Sequence, residues 1–192
     1  MHQIITISGT PGSGKSTIAK NLVPIFNAER IYTGGLWREM AKEKNMTLEE
    51  FHQYASKHHE VDQELDEKVA TEARRLAKEK NVIVEGRVQY LFLPESIKIF
   101  VKADLSETAK RVFKEMHSQQ DVHRKDEMRV SSLDDIEEKQ RLRRAVDIER
   151  YKEIYKIDYT DESQYDFILD TTHLSIEESA QKTADFINKN LK

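Results

Sequence analysis

The fold is decided by the stretch Gly9-Thr10-Pro11-Gly12-Ser13-Gly14-Lys15-Ser16, which matches the phosphate-loop pattern G-x-x-x-x-G-K-[ST] at every fixed position. The residues before it, 4–8, are apolar and β-branched, which is typical of a buried strand. The residues after it, 15–23, carry apolar side chains at helical spacing. A strand, a glycine-rich loop and a helix, in that order, are the context in which this motif binds nucleotide phosphates.

Each residue type in this loop has a chemical reason to be there. Glycines let successive backbone N–H groups curl around a phosphate, and the following helix adds its own free N–H groups. Lys15 is predicted to reach the β and γ phosphates, and the Ser16 hydroxyl is predicted to ligate the Mg²⁺ that accompanies ATP. The predicted ATP-binding residues of the loop are therefore Gly9, Thr10, Pro11, Gly12, Ser13, Gly14, Lys15, Ser16 and Thr17.

Composition excludes several classes of protein. The chain has 192 residues, the size of one domain, and it has no cysteine, which excludes disulfides, thiol nucleophiles and cysteine-based zinc sites. Its net charge is −4, so there is no basic surplus to hold nucleic acid or an anionic membrane. No apolar run is long enough to span a bilayer, and the early strand leaves no room for a signal peptide. We expect a cytoplasmic protein.

The hydrophobic pattern alternates between strands and helices. Predicted strands lie at 4–8, 30–33, 82–85, 97–103 and 165–171, and helical segments separate them. Such alternation predicts an α/β protein, with a parallel sheet covered by helices on both faces. Two stretches, roughly 36–80 and 114–142, are longer than the sheet crossovers require and are predicted to be insertions.

A second group of polar residues follows the predicted strands at 30–33 and 82–85. Ligands bind at the carboxyl ends of strands in open α/β sheets. There, Thr33 and Gly34 offer a hydroxyl group and close backbone approach, and Arg38 and Arg87 can clamp a second phosphate. Glu85 ends a strand and can hold a water on Mg²⁺, or it can be an ordinary carboxylate at a strand end.

Other phosphate-loop and metal-site signatures are missing from the sequence. No glycine has an aspartate three residues before it, as a GTPase would require, and no apolar strand ends in Asp-Glu, as in motor and transporter ATPases. The histidines, among them His52, lack H-E-x-x-H spacing and are expected on the surface. Arg143, Asp147 and Arg150 are spaced by four and three residues, which places them near one face of a predicted charged helix.

These motifs together make the chain resemble a nucleoside monophosphate kinase of the P-loop superfamily, and most closely the archaeal-type cytidylate kinase family. The resemblance covers nearly the whole chain. It rests on 9–17, on Thr33-Gly34 with Arg38, on Val84-Glu85-Gly86-Arg87, and on Arg150-Tyr151-Lys152-Glu153-Ile154-Tyr155 followed by Ile157-Asp158. It implies a three-layer fold with a five-stranded parallel sheet. Its single domain would comprise a core at about 1–35, 81–113 and 143–192, an NMP-binding insertion at about 36–80 and a lid at about 114–142.

The sequence also departs from related kinases. Those often carry Ser or Asp where Tyr32 stands, and an acidic or small residue where Gly35 stands. Adenylate kinases carry Asp-Gly-Phe-Pro-Arg where this chain has Glu85-Gly86-Arg87-Val88, which argues against AMP as the acceptor.

The reaction that the resemblance implies is phosphoryl transfer from ATP to CMP or dCMP by a monomer. Arg111, Arg143 and Arg150 would close on the transferring group, with Arg111 on the ATP side. Catalysis would rest on Lys15, Arg87, Arg143 and Arg150. The acceptor would contact Thr33, Gly34, Arg38, Gly86, Arg87 and Asp147, while Asp62 and Asp66 either face the cytosine amino group or are solvated helix carboxylates. UMP, AMP, another metabolite, or a non-catalytic nucleotide-binding regulator remain the alternatives.

Overall fold

The computed structural model describes residues 2–117 and 132–190. Five parallel strands form one sheet in the order β2-β3-β1-β4-β5. The predicted five-stranded parallel α/β fold is confirmed. The strands are β1 (Ile4–Gly9), β2 (Ala28–Tyr32), β3 (Asn81–Glu85), β4 (Ile97–Lys102) and β5 (Phe167–Asp170).

Helices connect the strands and differ in detail from the sequence prediction. The helix predicted from residue 36 begins at Thr33, directly after β2, and Pro24 lies inside the first helix rather than after it. The short helix after β3 was not predicted. The described helices are α1 (Lys15–Phe26), α2 (Thr33–Glu43), α3 (Leu48–Ala55), α4 (Glu60–Leu76), α5 (Gln89–Phe92), α6 (Leu105–His117), α7 (Leu133–Tyr155) and α8 (Ile176–Asn190).

The two faces of the sheet bury separate apolar clusters. On one face, Ile5 and Ile7 of β1 pack with Leu22 of α1 and Ile187 of α8. On the other face, the alternate strand residues pack against α2, α3 and α4, with Trp37, Phe51, Leu65, Val69, Val82 and Val84 in one cluster. Every residue of β1 is buried. The fold therefore has three layers, and its central strand delivers the glycine-rich loop to the middle of the sheet edge.

Gly9 ends β1 where the chain passes very close to β4. Its φ is +148°, and a Cβ added there would lie 2.0 Å from the carbonyl oxygen of Val101. The next residue, Thr10, donates its backbone N–H to that same oxygen at 3.1 Å. A side chain at this position would push the strands apart, so glycine is required to start the loop.

The predicted insertions are only partly described. Residues 36–80 contain most of α2 and all of α3 and α4, which connect β2 to β3. The predicted lid at 114–142 includes residues 118–131, which lie outside the described residues. Across the described ranges, no helix is both long and apolar enough to cross a lipid bilayer.

Candidate active site

A cavity opens at the carboxyl ends of β1, β2 and β3, between the glycine-rich loop, α2, α3 and α7. Its wall contains five cationic and three anionic side chains, although the chain as a whole carries a net charge of −4. This concentration of positive charge suits an anionic ligand. The charged side chains are Lys15, Arg38, Arg87, Arg143 and Arg150, with Asp66, Glu85 and Asp147.

The glycine-rich loop forms one end of this cavity. Lys15 Nζ and Ser13 Oγ both donate to the carbonyl oxygen of Thr10, at 3.0 and 2.9 Å, which holds the loop curled. Burial, together with the charge of Arg87, lowers the pKa of Lys15 to about 7. A bound polyphosphate would supply the counter-charge that this ammonium group needs.

The structure divides the predicted loop residues into three groups. Four of them line the cavity, namely Pro11, Gly12, Lys15 and Ser16. The other residues shape the loop behind it, and both Gly12 in the wall and Gly14 behind it have positive φ angles that glycine tolerates. Thr17 is exposed on α1 and lies outside the cavity wall. Its predicted role in ATP binding stays a prediction.

The two residues predicted for Mg²⁺ are in direct contact. Ser16 Oγ donates to Glu85 Oε1, and the guanidinium of Arg30 pairs with Glu85 Oε2. No group of three His, Asp or Glu side chains that could cage a metal occurs in the described part of the chain. Magnesium in phosphoryl-transfer sites is held by one or two protein oxygens plus substrate phosphates and water. A hydroxyl and a carboxylate at the loop fit that requirement.

Tyr32 holds Arg38 at the far side of the cavity. Arg38 Nη1 donates to Tyr32 Oη at 2.7 Å and to the Gly34 carbonyl oxygen at 3.0 Å. The tyrosine ring folds back over the first turn of α2, where a Cβ on Gly34 or Gly35 would lie 2.9 Å from it. Arg30 also packs on this ring, 4.7 Å from its centroid. The unusual Tyr32 and the glycine pair are therefore one packing unit.

An ion-pair network joins α7 to the end of β3. Arg87 Nε lies 2.6 Å from Asp147 Oδ2, and Arg150 Nη2 lies 3.8 Å from Asp147 Oδ1 and from Asp62 Oδ1. Burial would raise the pKa of Asp147, but the guanidinium groups of Arg87, Arg150 and Arg143 hold it below its ordinary value. Asp147 therefore stays ionised and orients both partners. Arg143 lines the same cavity, one helical turn before Asp147.

His52 belongs to the site, so the prediction of a surface histidine is wrong. The packing of α3 on α2 stacks its ring on Trp37, with centroids 5.1 Å apart, and its Nδ1 lies 3.2 Å from Arg150 Nη1. Burial and the charge of Arg150 lower the pKa of His52 to about 3. The imidazole is therefore neutral, and it serves as an acceptor for the arginine.

Asp62 and Asp66 are only 2% and 4% exposed, so the interpretation as solvated carboxylates is wrong. Asp66 lines the cavity and accepts hydrogen bonds from Gln89 Nε2 and Tyr155 Oη, each at 2.6 Å. Burial raises the pKa of Asp66 to about 7, against the opposing effect of the Tyr155 hydrogen bond. Asp62 lies behind the wall, next to Arg150.

Arg111 lies on α6 and does not line the cavity. Its guanidinium donates to the backbone oxygen of Thr171 at 2.6 Å and to the Thr171 hydroxyl at 3.0 Å. That hydroxyl in turn donates to the backbone oxygen of Ser13 at 2.9 Å. Arg111 thus supports the glycine-rich loop from behind, and its predicted contact with ATP stays a prediction.

Comparison with known proteins places the chain in a family. A family described as "AAA domain" matches residues 5–132. Cytidylate kinase of Methanocaldococcus jannaschii is 38% identical over 91% of each chain, and cytidylate kinase of Thermococcus kodakarensis is 39% identical over 88% of this chain and 80% of its own.

Solved structures with low sequence identity share the fold. Shikimate kinase from Bacteroides thetaiotaomicron is 15% identical, covers 97% of this chain and 98% of its own, and superposes with a TM-score of 0.62. TT1252 from Thermus thermophilus is 17% identical over the whole of both chains, with a TM-score of 0.61. Together with the phosphate loop, the arginine-lined cavity and relatives that match over nearly their full length, these findings show that the chain belongs to the cytidylate kinase family.

Proposed function

We propose that this protein transfers the γ-phosphoryl group of ATP to CMP or dCMP, which yields ADP and CDP or dCDP. The observation that carries the proposal is the cavity itself. It brings Lys15 of the glycine-rich loop together with arginines from α2, the end of β3 and α7. One cationic end suits the donor triphosphate, and the other suits the phosphate of the acceptor.

The chemistry requires positioning and charge neutralisation. The acceptor phosphate is already an anion, so no general base is needed. Lys15 and the loop N–H groups hold the donor, while Thr33, Gly34, Arg38, Gly86 and Arg87 hold the acceptor. Arg143 and Arg150, oriented by Asp147, stabilise the charge on the transferring oxygens. Ser16 and Glu85 would hold Mg²⁺, which supplies further neutralisation of the phosphates when bound.

We propose further that α2 to α4 act as the acceptor-binding unit predicted at 36–80, and that the predicted lid at 114–142 excludes water during transfer. Because the net charge is −4, the expectation that the protein acts without nucleic acid also stays a prediction. So do its monomeric state and its cytoplasmic location.

An assay of ADP release with CMP, dCMP, UMP and AMP tests the proposed function. Rapid ADP formation that requires CMP or dCMP supports the proposed function. Faster transfer to UMP or AMP than to CMP would show that the acceptor is a different nucleotide. ATP binding with no acceptor-dependent turnover would instead identify a nucleotide-binding regulator.

Replacing Arg38 or Arg87 with alanine is expected to raise KM for CMP roughly tenfold or more, because hydrogen bonds to charged groups contribute about 1.5–3 kcal/mol. KM for ATP should change little. Steady-state kinetics with each substrate varied measures both constants. Arg75→Ala is the control, since that exposed side chain on α4 pairs with Glu72 and does not line the cavity. An increase confined to KM for ATP would contradict this assignment.

Replacing Tyr32 with phenylalanine is expected to raise KM for CMP by roughly two- to tenfold, or about 0.5–1.5 kcal/mol, because Arg38 loses one hydrogen bond and keeps the one to the Gly34 carbonyl oxygen. The ring stays in place over Gly34 and Gly35, so the fold should be unaffected. Because the hydroxyl acts through Arg38, the same change in an Arg38→Ala background should have no further effect. Additive effects in this double-mutant cycle would show that the Tyr32 hydroxyl does not act through Arg38.

A further inference from the structure

Gln89 has a buried hydrogen-bond acceptor without a partner. The residue is 2% exposed and lines the cavity at the start of α5. Its Nε2 donates to Asp66 Oδ1 at 2.6 Å, but its Oε1 has no hydrogen-bond partner within the described residues. Leaving a buried acceptor unpaired costs about 1–3 kcal/mol, so such an atom in a binding cavity points to a ligand donor.

The orientation of the Gln89 amide is fixed by its neighbour. Above the Asp66 pKa of about 7 the ionised carboxylate only accepts hydrogen bonds, so the amide nitrogen is the atom that faces Asp66. The other oxygen of Asp66 is held by Tyr155 Oη, also at 2.6 Å. Both oxygens of Asp66 therefore already have protein donors, and across 2–117 and 132–190 the carbonyl of Gln89 is the acceptor of this pair without one.

The Gln89 carbonyl shares a small niche with the Thr33 hydroxyl. A Cβ added to Gly86 would lie 1.7 Å from Gln89 Oε1 and 2.9 Å from Thr33 Oγ1, so both oxygens cover the bare backbone of this glycine. The Thr33 hydroxyl is also buried and has no hydrogen-bond partner among the residues that the structure describes. The niche thus offers one fixed acceptor and one hydroxyl that can donate.

The niche lies in the same cavity as the arginines proposed to hold the acceptor phosphate. Arg87 is two residues before Gln89, and Arg38 is five residues after Thr33 on α2, about 7.5 Å along the helix axis. A nucleoside monophosphate with its phosphate on these arginines can therefore direct its base towards the niche.

We propose that Gln89 determines base specificity, with its Oε1 accepting a hydrogen bond from the exocyclic amino group of cytosine. This inference rests on the proposed function. The Thr33 hydroxyl donates to the neighbouring ring nitrogen of the base. Asp66 is a positioning residue, because it prevents the Gln89 amide from turning over.

The same arrangement rejects uracil. Uracil presents a carbonyl oxygen where cytosine has its amino group, and an N–H where cytosine has an acceptor nitrogen. Two carbonyl oxygens would then face each other, and the amide cannot rotate without breaking its bond to Asp66. Adenine has the same amino group and ring nitrogen as cytosine. The Gln89–Thr33 pair therefore distinguishes CMP from UMP but not from AMP, and the shape of the cavity must exclude AMP.

The test compares kcat/KM for CMP and UMP in three variants. Gln89→Leu should lower the value for CMP at least about tenfold, the effect of one lost buried hydrogen bond, and should leave the value for UMP nearly unchanged. In Asp66→Asn, the new side-chain amide can pair with either end of the Gln89 amide, so Gln89 is free to turn over. The value of kcat/KM for UMP should then rise, and the CMP/UMP ratio should fall at least about fivefold. Gln63→Leu, exposed on the same helix as Asp66, is the control and should keep the wild-type ratio.

The outcomes separate specificity from stability. An equal loss with CMP and UMP in Gln89→Leu, at an unchanged ratio, would overturn the proposal and leave Gln89 a structural residue. If the melting temperature shows that Gln89→Leu does not fold, Asp66→Asn becomes the test of the proposal. An unchanged CMP/UMP ratio in Asp66→Asn would then overturn it. A wild-type protein that phosphorylates neither nucleotide would instead contradict the proposed function.

Discussion

Replacing Lys15 with alanine is expected to lower kcat at least about 100-fold, the typical cost of removing one charge-stabilising group from a transition state. The ligand-free protein should nevertheless fold normally. The lowered pKa of Lys15 means that folding already disfavours its charge, so removal of this ammonium group should not weaken the ligand-free fold. Because the pKa of Lys15 is about 7 in the folded state and 10.5 in the unfolded state, this cost to stability is fully present below pH 7 and declines as the pH rises to 10.5.

Turnover and thermal melting, measured together, test this expectation. The Tm of Lys15→Ala without ligand should equal or exceed that of the wild type, and the increase in Tm caused by ATP should shrink. Lys20→Ala is the matched control, because Lys20 is exposed on the same helix and away from the cavity. Near-normal turnover in Lys15→Ala would contradict the assignment of the phosphate loop.

Replacing Arg143 with alanine is expected to lower kcat at least about tenfold, equal to ~1.4 kcal/mol of barrier stabilisation, while KM for both substrates changes less. Charge on the transferring phosphoryl group is greatest in the transition state, and arginines that meet it can contribute ~10³–10⁵ in rate. Arg150→Ala should also lower kcat. It should lower Tm as well, because Arg150 is buried, and its loss removes the guanidinium that faces Asp62 and one of the two that pair with Asp147.

Arg141→Ala on the same helix provides the comparison. Its guanidinium pairs with Glu138 on the exposed face, and exposed pairs contribute about 0–1 kcal/mol, so kcat should stay near the wild-type value. Single-turnover kinetics would locate the effect of Arg143→Ala in the chemical step. Small and equal decreases in kcat in Arg141→Ala and Arg143→Ala would show that Arg143 is an ordinary surface residue and takes no part in catalysis.

The fold was predictable because its signals are local. The glycine-rich loop, the β-branched runs of β1 and β3, and the helical spacing between them depend on neighbours in sequence. The start of α2 was harder to predict from the sequence. The glycines at 34 and 35 look like the end of a strand, but they lie in the first turn of a helix, where they make room for the Tyr32 ring.

The site was predictable where strand ends carry it, and less so where helix packing carries it. Ser16, Glu85, Arg38 and Arg87 lie at the ends of strands or shortly after them, so the topology of a parallel sheet brings them together. His52, by contrast, enters the site through the tertiary packing of α3 on α2, which no local pattern encodes. The same applies to the burial of Asp66, whose partner Tyr155 is 89 residues away.

The folding of the Tyr32 ring over the glycine pair has an evolutionary consequence. A Cβ at position 34 or 35 would press into the ring, so within this family a large aromatic residue at 32 and a side chain at 35 should exclude each other. Descent from a relative with a small polar residue at 32 and an acidic one at 35 would then require the change at 35 first, since glycine is compatible with either neighbour. Positions 32 and 35 are therefore expected to covary among homologues, and an ancestral sequence with tyrosine at 32 and an acidic residue at 35 should be a rare and poorly folding intermediate.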